Sequence, residues 1–330
     1  MAWRDWLWRP RGLRPLNGVE VLPGGKVIGD ARLAATADDV VLADVQFLHG
    51  EAAPESHWVM RRRRFRRPCR LSGTALLLAV ASGHNFYHWL IESLPRLRLA
   101  AEAGWPVERF DHVLVNELLE PFHHETLAQL GVRPEQIRRC RKNRVCRMER
   151  LVVPPVPGPP GAPEPWVVEF LRARLRPAGA PPAPRRLFLS RAGINRRHLV
   201  NEPELLAALA ARGFEVFRPE ERAFAGQAAA FAAAECVVGV HGAAFSHLVF
   251  APPGATVVEL MPPGYETPCF VNLARLAGVN FHRVTGEPAG PSSASPEWRD
   301  LRVDPAAVLA CLPPASAPAP EQGGQAASAG

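Results

Sequence analysis

Residues 235–260 read ECVVGVHGAAFSHLVFAPPGATVVEL, and this stretch decides the fold class. An apolar strand ends at His241–Gly242, a helix begins near Ala243, and the turn APPG precedes a second apolar strand. Two apolar strands joined by a short helical connection predict a right-handed βαβ unit in a parallel sheet. The pattern therefore indicates an α/β protein.

The same alternation continues on both sides of this stretch and defines a C-terminal domain over residues 185–312. Predicted strands alternate there with predicted helices. The further strands are RRLFLSR, FEVFRP and VNFHRVTG, and the helices are NEPELLAALAARG, AFAGQAAAFAAA and TPCFVNLARLAG. We predict a Rossmann-like domain whose parallel sheet is covered on both faces.

The rest of the chain divides into four segments. Residues 1–20 form a Trp/Arg-rich N-terminal segment, 21–153 a first α/β domain, 154–184 a Pro-rich linker with one helix, and 313–330 a disordered tail. Proline runs interrupt helices and central strands, and the tail cannot bury a core. The two α/β domains are expected to face each other across a cleft at the carboxyl ends of their strands.

Composition and charge narrow the class of protein. The 330 residues are 47% hydrophobic, and no apolar run reaches the ~18–20 residues that span a bilayer. We expect a cytoplasmic protein, because the charged N-terminus lacks the apolar run of a signal peptide. The six cysteines are scattered without CxxC pairs, which argues against a zinc ribbon and a disulfide framework. Arginine supplies almost all of the positive charge behind the net +7, so GC-rich coding explains the surplus better than a polyanionic partner does.

Two loops at strand ends have the chemistry of a phosphate site. Gly242 and Ala243 let a ligand approach the backbone, and the free amides of a first helical turn favour an anion. The segment LFLSRAGINRRHLVNE adds Arg191 and Arg197 at the end of another strand, where guanidinium groups bind phosphate oxygens bidentately. His241 is placed to donate a further contact at the rim. The alternative is structural: Gly242 permits a tight turn, and Ala243 permits close packing.

Asn201 and Glu259 each have a ligand interpretation and a structural one. Asn201, with Glu204 three residues later, resembles a capping box, so its side chain either caps the next helix or contacts the ligand. Glu259 ends the strand after the glycine turn, where acidic residues hold ribose hydroxyls in nucleotide sites. It is equally well explained as an ordinary surface carboxylate.

A second candidate site lies in the segment SGHNFYHWLIESLPR, which places His84, His88 and Glu92 at four-residue steps. Positions four apart share a helix face, so these side chains line one edge if the helix begins by residue 84. Ser82 or Asn85 is expected to cap that helix.

A metal site and a purely structural role are the competing interpretations of this helix. Two histidines four residues apart can bind zinc, but HNFYH lacks the internal glutamate of the HExxH motif. We therefore predict no metal site. The structural alternative is that His88 is a core histidine packed beside Tyr87 and Trp89.

Three segments in this order and spacing resemble the bacterial family 61 glycosyltransferases, which are often labelled capsular polysaccharide biosynthesis proteins. They are NFYHWLIESLPRL, SRAGINRRHLVNE and VGVHGAAFSHLVFAPPGATVVEL, and the resemblance covers roughly residues 70–285. It implies two Rossmann-like domains facing a cleft (GT-B architecture). It also implies inverting transfer of a sugar from a nucleotide-diphosphate donor, with no cofactor and no essential metal.

The resemblance carries over to particular positions of this sequence. The residues that match the family's donor-side pattern are Arg191, Arg197, Asn201, His241, Gly242, Ala243 and Glu259. The turn continues as Ala-Phe-Ser-His where relatives often have a second glycine and an asparagine, which leaves open what Ser246 or His247 contacts.

An inverting transfer needs one general base to deprotonate the acceptor hydroxyl. Histidine exchanges protons near neutral pH, so His88 is the first choice, with Glu92 one turn behind to orient it. Glu92 acting directly is the second choice. His84 and Asn85 are expected on the acceptor side of the cleft.

The partners implied are a nucleotide-sugar donor and a glycan or lipid-linked acceptor in surface or capsular polysaccharide synthesis. Trp3, Trp6 and Trp8 among arginines suit peripheral contact with an anionic inner membrane, or a tail packed on the domain. RRRRFRR at 61–67 is best explained as a solvated loop, and no nucleic-acid-binding module is recognisable.

Two other classes of function remain as alternatives. A non-catalytic nucleotide- or polyanion-binding α/β protein would keep the phosphate site without a base. An oxidoreductase is disfavoured, because no GxGxxG turn follows any predicted strand.

Overall fold

The computed structural model describes residues 9–29, 33–43, 58–61, 69–117, 119–141, 144–177, 186–290 and 295–314. Within these ranges the chain is a mixed α/β protein with two large sheets, which confirms the predicted class. None of the helices described there combines the length and apolarity needed to cross a bilayer. The three N-terminal tryptophans, the arginine run beyond Arg61 and the tail beyond residue 314 lie outside the described residues.

The first sheet is formed by the N-terminal part of the chain and has nine strands. They are β1 (Gly12–Pro15), β2 (Glu20–Pro23), β3 (Lys26–Ile28), β4 (Leu33–Ala35), β5 (Val40–Ala43), β6 (Cys69–Leu77), β7 (His112–Val115), β8 (Ile137–Arg139) and β9 (Val145–Val153). Their spatial order is β1-β5-β4-β3-β9-β6-β7-β8, and β2 also pairs with β9. The helices of this part are α1 (Trp58–Arg61), α2 (Arg96–Glu102) and α3 (Pro121–Gln129).

Only part of this sheet has the parallel arrangement expected of a Rossmann-like domain. β9, β6, β7 and β8 run parallel. β2 and β3 instead pair antiparallel with β9. β4 pairs antiparallel with β3 and β5, since the short connections between these consecutive strands do not allow a parallel crossover. β1 pairs with β5, so residues 12–15 belong to the sheet and not to a separate N-terminal segment.

The second sheet has five strands, all parallel, and matches the alternation read from the sequence. Its strands are β10 (Arg186–Leu189), β11 (Glu215–Phe217), β12 (Cys236–Val240), β13 (Thr256–Met261) and β14 (Asn280–Thr285). The helices are α4 (Pro165–Leu175), α5 (Glu202–Ala210), α6 (Phe224–Ala233), α7 (Cys269–Ala277) and α8 (Pro305–Ala310). A separate antiparallel pair, β15 (Glu287–Ala289) and β16 (Asp300–Arg302), completes the described strands.

The order of the second sheet, β11-β10-β12-β13-β14, creates a crevice at one place. The connections that leave β10 and β12 run to opposite sides, and ligands of open parallel sheets bind where the connections diverge in this way. β10 ends at Leu189, shortly before Arg191, and β12 ends at Val240, directly before His241 and Gly242. The two loops with phosphate chemistry therefore meet at this crevice.

One continuous apolar core joins the helices around the two sheets. It includes Trp89 and Leu127 from the first part of the chain and Phe250 and Phe270 from the second. α4 buries five apolar side chains in the same core. The helix within the predicted 154–184 linker is therefore a core element, because its apolar face needs a partner to cover it.

The structure corrects the expectation that the cysteines are unpaired. Cys69 and Cys146 form a disulfide between β6 and β9. The two residues are direct partners in the register of these neighbouring strands, with their Cα atoms 4.5 Å apart. They are 77 residues apart in sequence, so no local spacing motif marks the pair.

Candidate functional site

The crevice beyond β10 and β12 opens into a cleft with two compartments. The larger has a volume of about 680 Å³, and the smaller has a volume of about 210 Å³. The residues that border both are Asn85, Arg196, Arg197, Gly242 and Ala243. Asn85 follows the first sheet and the others follow strands of the second, so the cleft lies between the two parts of the chain.

Arg197 is buried at this shared wall, and Arg191 is half-buried beside it in the larger compartment. Burial, reinforced by the neighbouring Arg197 and Arg196, lowers the pKa of Arg191 to about 10. Burial and Arg196 also lower the pKa of Arg197. Within the described ranges neither forms an ion pair, although Glu220 lies near Arg191. Nη2 of Arg191 donates to the Arg196 carbonyl at 3.3 Å, whereas the Nε of each arginine is buried without a hydrogen-bond partner. Buried cationic donors left unsatisfied indicate a site that an anion completes.

The backbone on both sides of the crevice allows a ligand to approach closely. Arg197 has a φ of 56°, in the left-handed region that costs a non-glycine residue about 1 kcal/mol or more. Gly242 is extended, and Ala243 begins a 3-10 helix over Ala243–Phe250. The first amides of a helix have no partner within it, so they point free donors into the crevice.

Because Gly242 has no side chain, it leaves room for the guanidinium group of Arg191. A Cβ at this position would overlap Nη1 of Arg191. Because the backbone of Gly242 is extended, an alanine there is not strained by its own conformation. The substitution therefore acts on Arg191 alone.

We expect Gly242→Ala to fold normally and to weaken binding of a diphosphate ligand about tenfold or more. A hydrogen bond to a charged group contributes about 1.5–3 kcal/mol, and 1.4 kcal/mol is a factor of ten. Titration calorimetry with pyrophosphate measures the change. Gly193→Ala is the control, since a Cβ there meets nothing nearer than 3.7 Å. Equal affinity in both variants would show that Arg191 does not need this space.

His241, directly after β12, is held by the buried carboxylate of Glu259 on β13. Its Nδ1 lies 2.6 Å from Oε1 of Glu259, and Nε of Arg283 donates to the other oxygen at 2.8 Å. Burial lowers the pKa of His241, although Glu259 opposes the shift. A neutral ring that donates Nδ1–H to Glu259 keeps a lone pair on Nε2. It therefore accepts hydrogen bonds at Nε2, which differs from the donor contact to phosphate expected of it.

Glu259 and Asn201 make structural contacts and are not placed to contact a ligand directly. The Glu259 side chain has no exposed surface, and its two oxygens are taken by His241 and Arg283. It orients His241 and cannot reach a ribose. The Asn201 amide binds the backbone of Val303 in both directions and donates to Glu204 at 3.0 Å. Asn201 thus ties the start of α5 to the C-terminal segment and does not border the cleft.

His88 and Glu92 form a pair on the other wall of the smaller compartment. His88 Nδ1 lies 2.8 Å from Oε2 of Glu92, and His88 borders the compartment. The carboxylate accepts Nδ1–H, so the lone pair of the ring resides on Nε2. The segment His88–Ser93 is a turn of π-helix, in which Leu94 N–H donates to Trp89 C=O at 3.0 Å. Such turns are frequent at functional sites.

The helix begins later than the spacing predicts. His84 lies in an exposed turn before it and does not share a stripe with His88 and Glu92. Asn85 caps the helix, because its Oδ1 accepts from the Tyr87 amide at 2.9 Å. Asn85 also borders both compartments, whereas His84 borders neither.

Ser246 and His247, whose contacts the sequence left open, lie away from the cleft. Both are fully buried. The His247 ring stacks on Phe86, with centroids 4.5 Å apart, and burial lowers its pKa to about 4. His247 thereby packs the two parts of the chain together.

The sequence patterns did not identify several other residues of the cleft. Tyr265 and Thr267 border the smaller compartment from the loop after β13. The rule that sites lie at the carboxyl ends of parallel strands points to that loop as well. Phe122 borders the larger compartment from the first turn of α3, and no local signal marks it.

Comparison with known proteins agrees with the chemistry of this cleft. The sequence profile described as Glycosyltransferase 61 matches residues 86–258. The chain is 38% identical over 119 residues to the EGF domain-specific O-linked N-acetylglucosamine transferase of Drosophila melanogaster, which covers 34% of this chain and 22% of that protein. It is 37% identical over 97 residues to the protein O-linked-mannose beta-1,4-N-acetylglucosaminyltransferase 2 of Tetraodon nigroviridis, covering 27% and 16%.

These relatives are animal proteins, and the chain spans only about a fifth of their length. The bacterial and capsular part of the resemblance therefore stays a prediction. The profile match covers half of the chain and contains His88, Glu92, Arg191, Arg197 and Gly242. The chain belongs to the glycosyltransferase 61 family.

Proposed function

We propose that the protein is an inverting glycosyltransferase that moves a sugar from a nucleotide-diphosphate donor to an acceptor hydroxyl. The observation that carries the proposal is the pair of guanidinium groups of Arg191 and Arg197 against the Gly242 turn, each with a buried Nε that has no hydrogen-bond partner. This anion site lies in the same cleft as the His88–Glu92 pair. Family membership supports the same class of reaction.

The reaction proposed is a single displacement. His88 Nε2 takes the proton of the acceptor hydroxyl, and the freed oxygen bonds to the anomeric carbon of the donor sugar. The bond between that carbon and the diphosphate breaks on the opposite face, which inverts the configuration. Arg191 and Arg197 stabilise the charge on the departing diphosphate. Two guanidinium groups can supply this stabilisation, so we propose a metal-independent reaction without a cofactor.

For the architecture we propose a GT-B arrangement with the donor held by the second sheet. Two features support it: parallel strands in both sheets, and a cleft between the two parts of the chain. The antiparallel strands β2, β3 and β4 are then an extension of the acceptor-side domain.

The acceptor we propose is a glycan or a lipid-linked glycan in surface polysaccharide synthesis, on the cytoplasmic side of the membrane. The support is the sequence resemblance and, for membrane contact, the Trp/Arg-rich N-terminus. Since two relatives are named as N-acetylglucosamine transferases, an N-acetylglucosamine donor is the first to test.

A thermal-shift screen followed by a transfer assay tests the function. Uridine, guanosine and thymidine diphosphates and their sugar conjugates are the probes. A ligand at 100 times its Kd stabilises the native state by about 2.7 kcal/mol, so we expect the Tm to rise by several degrees with one nucleotide. Adenosine monophosphate is the control and should give no shift. If no nucleoside diphosphate raises the Tm and no donor is turned over, the proposal fails.

The same screen distinguishes the proposed enzyme from the alternative function. A non-catalytic nucleotide- or polyanion-binding protein would show a rise in Tm but no transfer or hydrolysis of any sugar conjugate. Turnover of one donor excludes that alternative.

A further inference from the structure

We propose that the donor lies across both compartments, with its nucleoside in the larger one and its transferred sugar in the smaller one. This assignment rests on the proposed function and specifies how the same cleft binds its substrate. Three observations support it: the position of the base, the chemistry of each compartment and the shared arginine wall.

The position of His88 fixes where the reacting carbon must lie. His88 borders the smaller compartment but is not among the residues that border the larger one. A general base acts within hydrogen-bond reach of the hydroxyl it deprotonates, and that oxygen attacks the anomeric carbon. The transferred sugar therefore occupies the smaller compartment.

The walls of the smaller compartment suit sugar hydroxyl groups. His88 and His241 each donate Nδ1–H to a carboxylate, so each keeps an acceptor at Nε2. Tyr265 adds a hydroxyl that both donates and accepts. The Thr267 hydroxyl donates to Sγ of Cys269 at 3.0 Å and adds an acceptor. Sugar hydroxyls donate and accept in many directions, and this set of polar groups matches them.

The diphosphate connects this compartment to the larger one. Arg196, Arg197, Gly242 and Ala243 border both, and Arg191 borders the larger one beside Gly242. A diphosphate on this shared wall has its sugar on one side and its nucleoside on the other. Because the sugar is in the smaller compartment, the nucleoside extends into the larger one.

The larger compartment has the chemistry of a nucleoside site. The rings of Phe86 and Phe122 meet edge to face with centroids 5.1 Å apart, and both are only partly buried. Aromatic faces of this kind stack on nucleobases. Glu220 borders the same compartment near Arg191 and offers a carboxylate to the ribose hydroxyls. Glu220 thereby takes the role that the buried Glu259 cannot perform.

Truncated ligands and two variants test the assignment. The ligands are pyrophosphate, uridine diphosphate and its N-acetylglucosamine conjugate, or the guanosine or thymidine counterparts if those raise the Tm most. Phe122→Ala should weaken both nucleotides about tenfold and leave pyrophosphate unchanged, since stacking adds 1–3 kcal/mol per base, roughly. Tyr265→Phe should weaken only the sugar conjugate, by about fivefold, because it removes one hydroxyl without changing the ring.

Each outcome decides the assignment. Weakened pyrophosphate binding in the Phe122 variants would mean a structural effect and would count against it, and Phe122→Leu provides a variant with a smaller loss of volume. The reverse pattern, in which Tyr265→Phe weakens the diphosphate and Phe122→Ala only the conjugate, would overturn it. If the wild-type protein binds no nucleotide at all, the proposed function has failed instead.

Discussion

Arg191→Ala and Arg197→Ala are each expected to weaken binding of the donor diphosphate about 100-fold. A charge-assisted hydrogen bond contributes about 1.5–3 kcal/mol, and guanidinium groups form two at once. Transfer should fall further, by about 10²–10³ in kcat, since the charge on the diphosphate grows as the bond breaks. Titration calorimetry and steady-state kinetics measure the two effects. Arg191→Lys should recover only part of the loss, because an ammonium group lacks the planar fork.

The stability of the ligand-free protein provides a second readout. Burial lowers the pKa of both arginines, and within the described ranges neither forms an ion pair. Removing an unpaired buried charge does not destabilise a protein, so the Tm without ligand should stay equal or rise. Arg174→Ala, on the exposed face of α4, is the matched control and should change neither affinity nor rate. Full donor affinity in both site variants would remove the diphosphate from this wall.

His88→Ala is expected to lower kcat by about 10²–10⁴ while donor affinity stays within about threefold of wild type. The variant removes the proton acceptor but leaves the arginine wall untouched. Glu92→Gln should lower kcat by a smaller factor, because the histidine ring remains and only the carboxylate that orients it is lost. Single-turnover kinetics separate chemistry from binding. His84→Ala is the control, since His84 is exposed in the preceding turn and borders neither compartment.

The same variants distinguish the two candidate bases. If Glu92→Gln loses more rate than His88→Ala, the carboxylate itself takes the proton and the histidine positions it. If neither variant loses rate, the π-helical segment has no part in the chemistry, and the base lies elsewhere in the cleft.

The second sheet was predictable from sequence because strand-like segments and helix-like segments alternate regularly along this part of the chain. The meeting of the two predicted phosphate-binding loops at one crevice followed from the rule on carboxyl strand ends, which needs only the order of strands along the chain. The role of Glu259 did not follow, since it depends on Arg283 from β14 lying beside β13. The bond between Asn201 and Val303 joins residues 102 apart, and no local pattern reports it.

The first part of the chain was harder to read for similar reasons. The antiparallel strands around β9 are only three to four residues long, too short for a clear periodicity. The four-residue spacing of His84, His88 and Glu92 predicted a regular helix, whereas the chain widens into a π-helical turn. The contact of His88 with Glu92 survives this change because both residues lie within that turn.

The apolar packing shared by the two halves of the molecule has a consequence for turnover. Tyr87 contacts Phe270, and Phe86 contacts His247, across the boundary between them. Separating the halves would therefore expose apolar surface to water. A wide hinge opening is thus disfavoured. We expect substrates to enter and products to leave through movements of loops and side chains at the rim of the cleft, while the two halves keep their relative position.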